Sequence, residues 1–104
     1  MNDWNQEQLE LFLDQKNTGC IYLYTPFCGT CQVASKMLSV VEELMPNLSL
    51  GKMNLNYEQY LAKNWKIESV PCLVFIDQGK MVSKLYSFHS VPYLLETIKS
   101  KFQN

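Results

Sequence analysis

The sequence predicts an α/β fold in which a mixed sheet of about four strands is sandwiched between helices. Two apolar runs, residues 20–24 and residues 73–76, have the length and composition of buried strands. The second run continues without alternation, which is typical of a central strand covered on both faces. Between the runs, residues 33–45 carry apolar side chains at helical spacing. We therefore expect the element order α-β-α-β-α-β-β-α in a single domain, residues 1–104.

The first helix is expected to begin at Asp3 as its N-cap and to run through about residue 15. Gln6 follows the cap three positions later, which is the spacing of a capping box. The polar segment Asn17-Thr18-Gly19 then ends the helix.

The middle of the chain predicts two parallel strands joined by a long helix. The strand at residues 20–24 leads into a helix over residues 29–45, which Pro46 stops. Residues 48–55 are the next predicted strand, and Asn56 is the expected cap of a short third helix. Parallel strands connected in this way require a right-handed crossover.

The last third of the chain predicts a hairpin and a final helix. The segment Asp77-Gln78-Gly79-Lys80 predicts a turn, with glycine at the position that requires a positive φ. Residues 81–86 then return as an antiparallel strand at the sheet edge. Ser90 is the expected cap of the last helix, whose inward side chains are Val91, Leu94, Leu95, Ile98 and Phe102.

Composition excludes several classes of function. With 47% hydrophobic and 18% charged residues the chain is globular. A net charge of −1 leaves no broad basic surface for nucleic acid. No apolar run approaches the ~18 residues of a membrane span, so we expect no membrane anchor. Residues 1–5 are polar and do not resemble a signal peptide, which favours the cytoplasm, where thiols are kept reduced.

The main candidate for chemistry is a cysteine pair at the junction of a predicted strand and helix. Cys28 stands where the strand gives way to the long helix, and Cys31, three positions later, lies inside the first turn of that helix. Free N–H groups and the helix dipole at that end favour a thiolate, the form that attacks disulfides. The spacing alone leaves two unremarkable thiols as the alternative, since a C-x-x-C pair signals redox chemistry only beside a βαβ pattern.

In context, the chain resembles the thioredoxin family over nearly its whole length. The resemblance rests on features in register, namely Phe27-Cys28-Gly29-Thr30-Cys31, Lys52, Trp65-Lys66-Ile67, Val70-Pro71 and the hairpin at Gly79. It implies a thioredoxin-like fold and a thiol–disulfide oxidoreductase that reduces protein disulfides. It also implies that no bound cofactor is needed, because the dithiol stores the electrons, and that a thioredoxin reductase with NADPH recharges the pair.

The resemblance assigns roles to individual residues. Cys28 matches the nucleophile, Cys31 the resolving thiol, and Pro71 the family's cis-proline. An apolar collar for client proteins would comprise Pro26, Phe27, Ile67 and Val70. The backbone of Val70 would pair with an extended client segment, as in strand addition.

The chain also departs from the family's usual pattern. Phe27 stands where most members have tryptophan, and Gly29-Thr30 replaces Gly-Pro between the cysteines. We expect this dipeptide to give a more oxidising potential, because it affects the stability of the reduced form. Tyr22 occupies the position of a buried aspartate, and Lys52 lacks that partner. A phenol is a poor base at neutral pH, so the second step is expected to be slower or to use water.

Cys72 leaves three interpretations open. It directly follows Pro71, so it is expected close to the cysteine pair, either as a small core residue or as a third redox thiol. The remaining possibility is a metal or iron–sulfur site with Cys28 and Cys31, which would make the chain a thioredoxin-fold binding module with little turnover. A glutaredoxin-like role is a further redox alternative. Cys20 is expected to be structural, and His89 to be a surface loop residue.

Overall fold

The computed structural model describes residues 1–102 and arranges five strands in one sheet of order β1-β3-β2-β4-β5. The strands are β1 (Asn2–Asp3), β2 (Gly19–Tyr24), β3 (Leu50–Asn54), β4 (Cys72–Asp77) and β5 (Lys80–Leu85). The helices are α1 (Gln6–Asp14), α2 (Gly29–Leu44), α3 (Gln59–Asn64) and α4 (Val91–Phe102), with a 3₁₀ turn at Leu55–Tyr57.

The sheet is mixed, as predicted. Strand β2 runs parallel to β3 and antiparallel to β4, and β5 returns antiparallel at the edge. The sheet has five strands and not the four predicted. The additional strand is β1, in which Asn2 and Asp3 pair in parallel with Gly51 and Lys52 of β3. Two residues carry too little pattern to be recognised as a strand in the sequence.

This pairing also corrects the start of α1. Asp3 is part of β1 and does not cap the helix. The N-cap is Asn5, whose side chain accepts a hydrogen bond from the Gln8 amide at 2.8 Å, while the Gln8 side chain accepts one from the Asn5 amide at 2.9 Å. The capping box therefore exists two residues later than predicted.

Of the two later predicted caps, one is confirmed and the other is wrong. The Ser90 hydroxyl accepts a hydrogen bond from the Tyr93 amide at 3.2 Å, which confirms Ser90 at the start of α4. The prediction for Asn56 was wrong, because Asn54 caps the 3₁₀ turn and α3 begins only at Gln59. Gly79 has the predicted positive φ of 80° in the β4–β5 hairpin.

Helices cover both faces of the sheet. One face packs against α2 and α4, with a core of Cys20, Tyr22, Ala34, Leu38, Val41, Leu50, Leu73, Phe75, Phe88, Leu94 and Ile98. The other packs against α1 and α3, with a core of Leu9, Phe12, Ile21, Leu23, Met53, Leu61, Cys72, Val74 and Ile76. Alternate residues of β2 and β4 enter opposite cores, because successive strand side chains point to opposite faces.

The order of elements decides where a site can form. The chain leaves β2 at Tyr24 and enters α2 at Gly29, so the four intervening residues lie at the carboxyl end of a central strand. The loop before β4 reaches the same end of the sheet, because β4 runs antiparallel to β2 and begins beside the point where β2 ends. Within the described part of the chain, none of the helices has the length and apolar character that a transmembrane span requires.

Candidate active site

Cys28 is the N-cap of α2, as the strand-to-helix junction predicted. Its backbone is extended (φ −128°, ψ 107°), and its Sγ accepts a hydrogen bond from the Cys31 amide at 3.1 Å. The side chain is half-buried, so part of it remains open to solvent. A sulfur at this position receives both an otherwise unpaired N–H and the positive end of the helix dipole, which favour the thiolate in the reduced protein.

Cys31 lies behind Cys28 and is almost completely buried, with 3% of its surface exposed. The two sulfurs form a disulfide in this structure, with their Cα atoms 5.1 Å apart. The cysteine pair is therefore asymmetric, because Cys28 is half-buried and Cys31 is buried. This asymmetry is what a nucleophile followed by a resolving thiol requires.

The dipeptide between the cysteines adds a polar contact. The Thr30 hydroxyl oxygen lies 3.4 Å from Cys28 Sγ, close enough to donate a hydrogen bond to the sulfur. Proline at this position would have no such donor. Gly29 is exposed, and a Cβ added there would meet no atom within 4 Å.

The four predicted collar residues do not line a single groove beside the cysteine pair. Phe27 is fully exposed, and Pro26 is exposed beside it. Ile67 and Val70 line one groove, of about 290 Å³, together with Thr25. A second groove, of about 430 Å³, lies on the other side and is lined by Thr30, Val33, Ala34, Met37, Pro71, Tyr86, Ser87, Phe88 and His89. The Val70–Pro71 peptide bond is cis, as the resemblance implied.

Two residues of the hairpin support the loop that carries Val70 and Pro71, and the sequence did not reveal them. The Lys84 ammonium donates to the carbonyls of Trp65 and Lys66, both at 3.0 Å, and so satisfies the end of α3. The Tyr86 hydroxyl accepts a hydrogen bond from the Glu68 amide at 3.2 Å. These contacts span 18 or 19 residues, a separation at which no local pattern signals them.

Tyr22 lies beneath the cysteine pair but is not suited to act as a base. It is 1% exposed, and its hydroxyl donates to the Cys31 carbonyl at 2.7 Å. Burial, with a smaller effect of nearby Tyr24, raises the pKa of Tyr22 well above its usual value. The phenol therefore stays protonated at neutral pH and anchors the first turn of α2 to the sheet.

Cys72 does not join the cysteine pair. It lies in the core between the sheet and helices α1 and α3 and has no exposed surface. Among residues 1–102, no three His, Cys, Asp or Glu side chains come close enough together to hold a metal ion. The three-cysteine site considered from the sequence therefore does not form in the described structure. Cys20 is equally buried, in the opposite core, which is consistent with the structural role expected of it.

His89 is exposed, as expected, and lies in the groove that Pro71 helps to form. It adopts a positive φ of 55°, and its ring meets that of Tyr93 edge-on at 4.7 Å between centroids. Its place beside the motif follows from the β5–α4 connection.

Fold and site together define a class of protein, one in which an α/β sheet presents a redox-active cysteine pair at the N-terminus of its longest helix. A family model described as Thioredoxin matches residues 2–100. The chain belongs to the thioredoxin family.

Sequence relatives agree with this assignment. The chain is 57% identical over 81 residues to Thioredoxin-like protein YusE of Bacillus subtilis (strain 168), an alignment that covers 78% of this chain and 76% of the relative. It is also 28% identical over 82 residues to Thioredoxin H-type of Ricinus communis, covering 79% of this chain and 69% of the plant protein.

Solved structures share the fold. A mutant thioredoxin from Halobacterium salinarum NRC-1 superposes with a TM-score of 0.84 at 20% identity, over 100% of this chain and 91% of that one. Mitochondrial thioredoxin 3 from Saccharomyces cerevisiae, in its oxidised form, gives a TM-score of 0.81 at 19% identity, over 96% of this chain and 93% of that one.

Proposed function

We propose that this protein is a thiol–disulfide oxidoreductase that reduces disulfides in client proteins through Cys28 and Cys31. The observation that carries the proposal is the geometry of α2's first turn. Cys28 is only half-buried, and its Sγ accepts a hydrogen bond from the Cys31 amide at 3.1 Å, whereas Cys31 is buried. Accessibility and a stabilised thiolate are the two properties that a nucleophilic cysteine needs.

The proposed reaction has two exchange steps. The Cys28 thiolate attacks one sulfur of the client disulfide, forms a mixed disulfide with it and expels the other client sulfur as a thiolate. Cys31, as a thiolate, then attacks Cys28 Sγ, which closes the Cys28–Cys31 disulfide and releases the second client thiolate. Two electrons pass from the protein to the client, so the oxidised cysteine pair must be reduced again before the next cycle.

Recharging and location follow from the same chemistry. A thioredoxin reductase supplied by NADPH is the proposed electron donor, since the oxidised cysteine pair must regain two electrons in each cycle. A reducing compartment such as the cytoplasm suits this direction of electron flow, because thiols are kept reduced there.

The Cys31→Ser variant is expected to accumulate a covalent mixed disulfide between Cys28 and the client. Attack by Cys28 remains possible, but no thiol follows to release the client. Mass spectrometry of the variant incubated with a disulfide-bonded peptide should show one peptide half attached to Cys28 in a lasting adduct. In the wild-type protein this adduct should be only transient. A variant that released both peptide thiols as fast as the wild type would contradict the resolving role.

The Phe27→Ala variant is expected to weaken client binding without destabilising the fold. Phe27 is fully exposed beside the nucleophile, so its ring is free to cover apolar client surface. We expect kcat/KM for a protein client to fall by about three- to tenfold, a loss of about 1 kcal/mol. The unfolding free energy should stay within about 0.5 kcal/mol of wild type.

Leu44→Ala is the matched control for this prediction. Leu44 is also exposed, at 58%, but it ends α2, about 22 Å from the helix start by the helical rise. Its removal should leave kcat/KM unchanged. Equal losses in both variants would indicate a general effect of surface hydrophobicity and would refute a local role for Phe27.

A further inference from the structure

A cavity of about 370 Å³ adjoins the resolving cysteine, and Thr25 and Pro26 form part of its rim. Its lining includes Cys31, Tyr22 and Tyr24 on the inner side and Gln32 and Lys36 of α2 on the outer side. Gln32 and Lys36 are exposed, so the cavity communicates with solvent at the helix surface. It has room for several waters or for a small ion.

The cavity borders Cys31, the residue from which the second exchange step must remove a proton. Cys31 must lose its proton before it attacks Cys28, yet no carboxylate or histidine of the described residues lines this cavity. The Tyr22 hydroxyl donates a hydrogen bond to the Cys31 carbonyl, and burial raises the pKa of Tyr22. The Tyr24 hydroxyl donates to Asp3 Oδ1 at 2.7 Å, so that proton is also committed.

The charge of the cavity wall is positive. Lys36 and Lys52 both line it, and the Lys52 ammonium stands 5.5 Å from the centroid of the Tyr24 ring. Residues 1–102 contain a single ion pair, which joins the Met1 ammonium to Glu42. Neither Lys36 nor Lys52 is therefore paired with a carboxylate of the described residues. Lys52 is half-buried, where an unpaired ammonium gains most from a bound anion.

We propose that this cavity binds a small oxyanion base, such as inorganic phosphate, and that the bound anion accepts the proton of the Cys31 thiol during client release. The inference rests on the proposed function, since it concerns the second step of that reaction. The phosphate dianion is a suitable base because the second ionisation of phosphate, which forms it, falls near neutral pH. The two ammonium groups attract this dianion.

The step balances as follows. The Cys31 S–H bond breaks, its proton passes to the oxyanion, and the electron pair stays on sulfur. The resulting thiolate attacks Cys28 Sγ, forms the Cys28–Cys31 bond and expels the client sulfur, which carries away the electron pair of the mixed disulfide. The protonated oxyanion then returns its proton to the departing client thiolate or to solvent.

The test is a single-turnover measurement at neutral pH and constant ionic strength. Reduced protein is mixed with a symmetrical disulfide peptide, samples are quenched in acid, and mass spectrometry counts the reduced, mixed-disulfide and oxidised forms. As phosphate rises from none to tens of millimolar, decay of the mixed disulfide should accelerate by about fivefold and then saturate. Its rate of formation should not change, and Cys31→Ser, which performs only the first step, should be insensitive to phosphate.

Variants locate the effect. The Lys36→Gln/Lys52→Gln double variant should lose the phosphate acceleration, and Lys36→Gln alone, on the exposed helix surface, should weaken it even if the double variant folds poorly. Lys63→Gln is the control, because Lys63 is exposed on α3, which covers the opposite face of the sheet. It should retain the full response.

Three results would overturn the inference. The first is a decay rate that does not respond to phosphate in the wild-type protein. The second is a linear response that neutral imidazole reproduces or that survives the loss of both lysines, since either would place the base in bulk solvent. The third is a failure of the Cys31→Ser variant to form any mixed disulfide, which would refute the proposed function and this inference with it.

Discussion

Replacing Cys28 by serine is expected to abolish disulfide reduction, with a loss of roughly a thousandfold or more, because the variant lacks the attacking thiolate. A serine hydroxyl stays protonated at neutral pH and does not exchange with disulfides. Cys31 cannot take over, since only 3% of its surface is exposed and the first turn of α2 covers it. The measurement is reduction of insulin disulfides above the uncatalysed background.

The same substitution should leave the fold intact. Serine is among the preferred N-cap residues, and its hydroxyl can accept the hydrogen bond that the Cys31 amide now donates to Cys28 Sγ. The loss of activity is therefore separable from unfolding, which thermal denaturation followed by circular dichroism will show. Cys72→Ala is the control. It removes a thiol from the core between the sheet and helices α1 and α3, and the variant should keep most of the activity. Activity that survived in Cys28→Ser would assign the nucleophile to another thiol.

Cys20 and Cys72 are expected to be unreactive in the folded, reduced protein. Neither has exposed surface, and burial raises the pKa of Cys20 to about 12 and that of Cys72 to about 11. For Cys72, the nearby Lys84 ammonium and a hydrogen bond with Tyr86 offset part of that increase. At about pH 8, near the usual pKa of a free thiol, only about one Cys72 in a thousand would be ionised even if reagent could reach it.

Titration with a chromogenic disulfide reagent checks this expectation. The folded, reduced protein should rapidly release two equivalents of the coloured thiol, one when Cys28 attacks and one when Cys31 closes the disulfide. Unfolding in guanidinium should expose the other two of the four cysteines. A third fast equivalent in the folded protein, lost in Cys72→Ala, would instead support the regulatory thiol considered from the sequence.

Local patterns predicted most of the secondary structure. The signals for β2 and β4 are strong because each is an unbroken apolar run of strand length, and that for α2 because its apolar residues recur at the helical period. The same reasoning placed Cys28 at the start of α2, since a strand ended and a helix began around it. It failed at β1, where two residues offer no period, and at the cap of α1, where strand pairing of Asp3 with Lys52 shifted the cap to Asn5.

The cysteine pair was located from the sequence, but the residues around it were predicted only in part. Cys72 was expected near the cysteine pair because it follows Pro71. The pleat of β4 instead points it into the core beneath α1 and α3, while its neighbour Leu73 enters the core beneath α2 and α4. Lys84 and Tyr86 could not be linked to the loop before Pro71, because that contact depends on where the hairpin lies.

The order of residues thus suffices to establish the fold class and the thioredoxin resemblance and to locate the cysteine pair, because these depend on spacing within single elements and on the order of those elements. The tertiary structure alone decides which sulfur is accessible, which thiols are isolated, and that two lysines from separate elements line a cavity behind Cys31. These properties arise where distant segments converge, and burial and charge at such points are set by packing that no local pattern encodes.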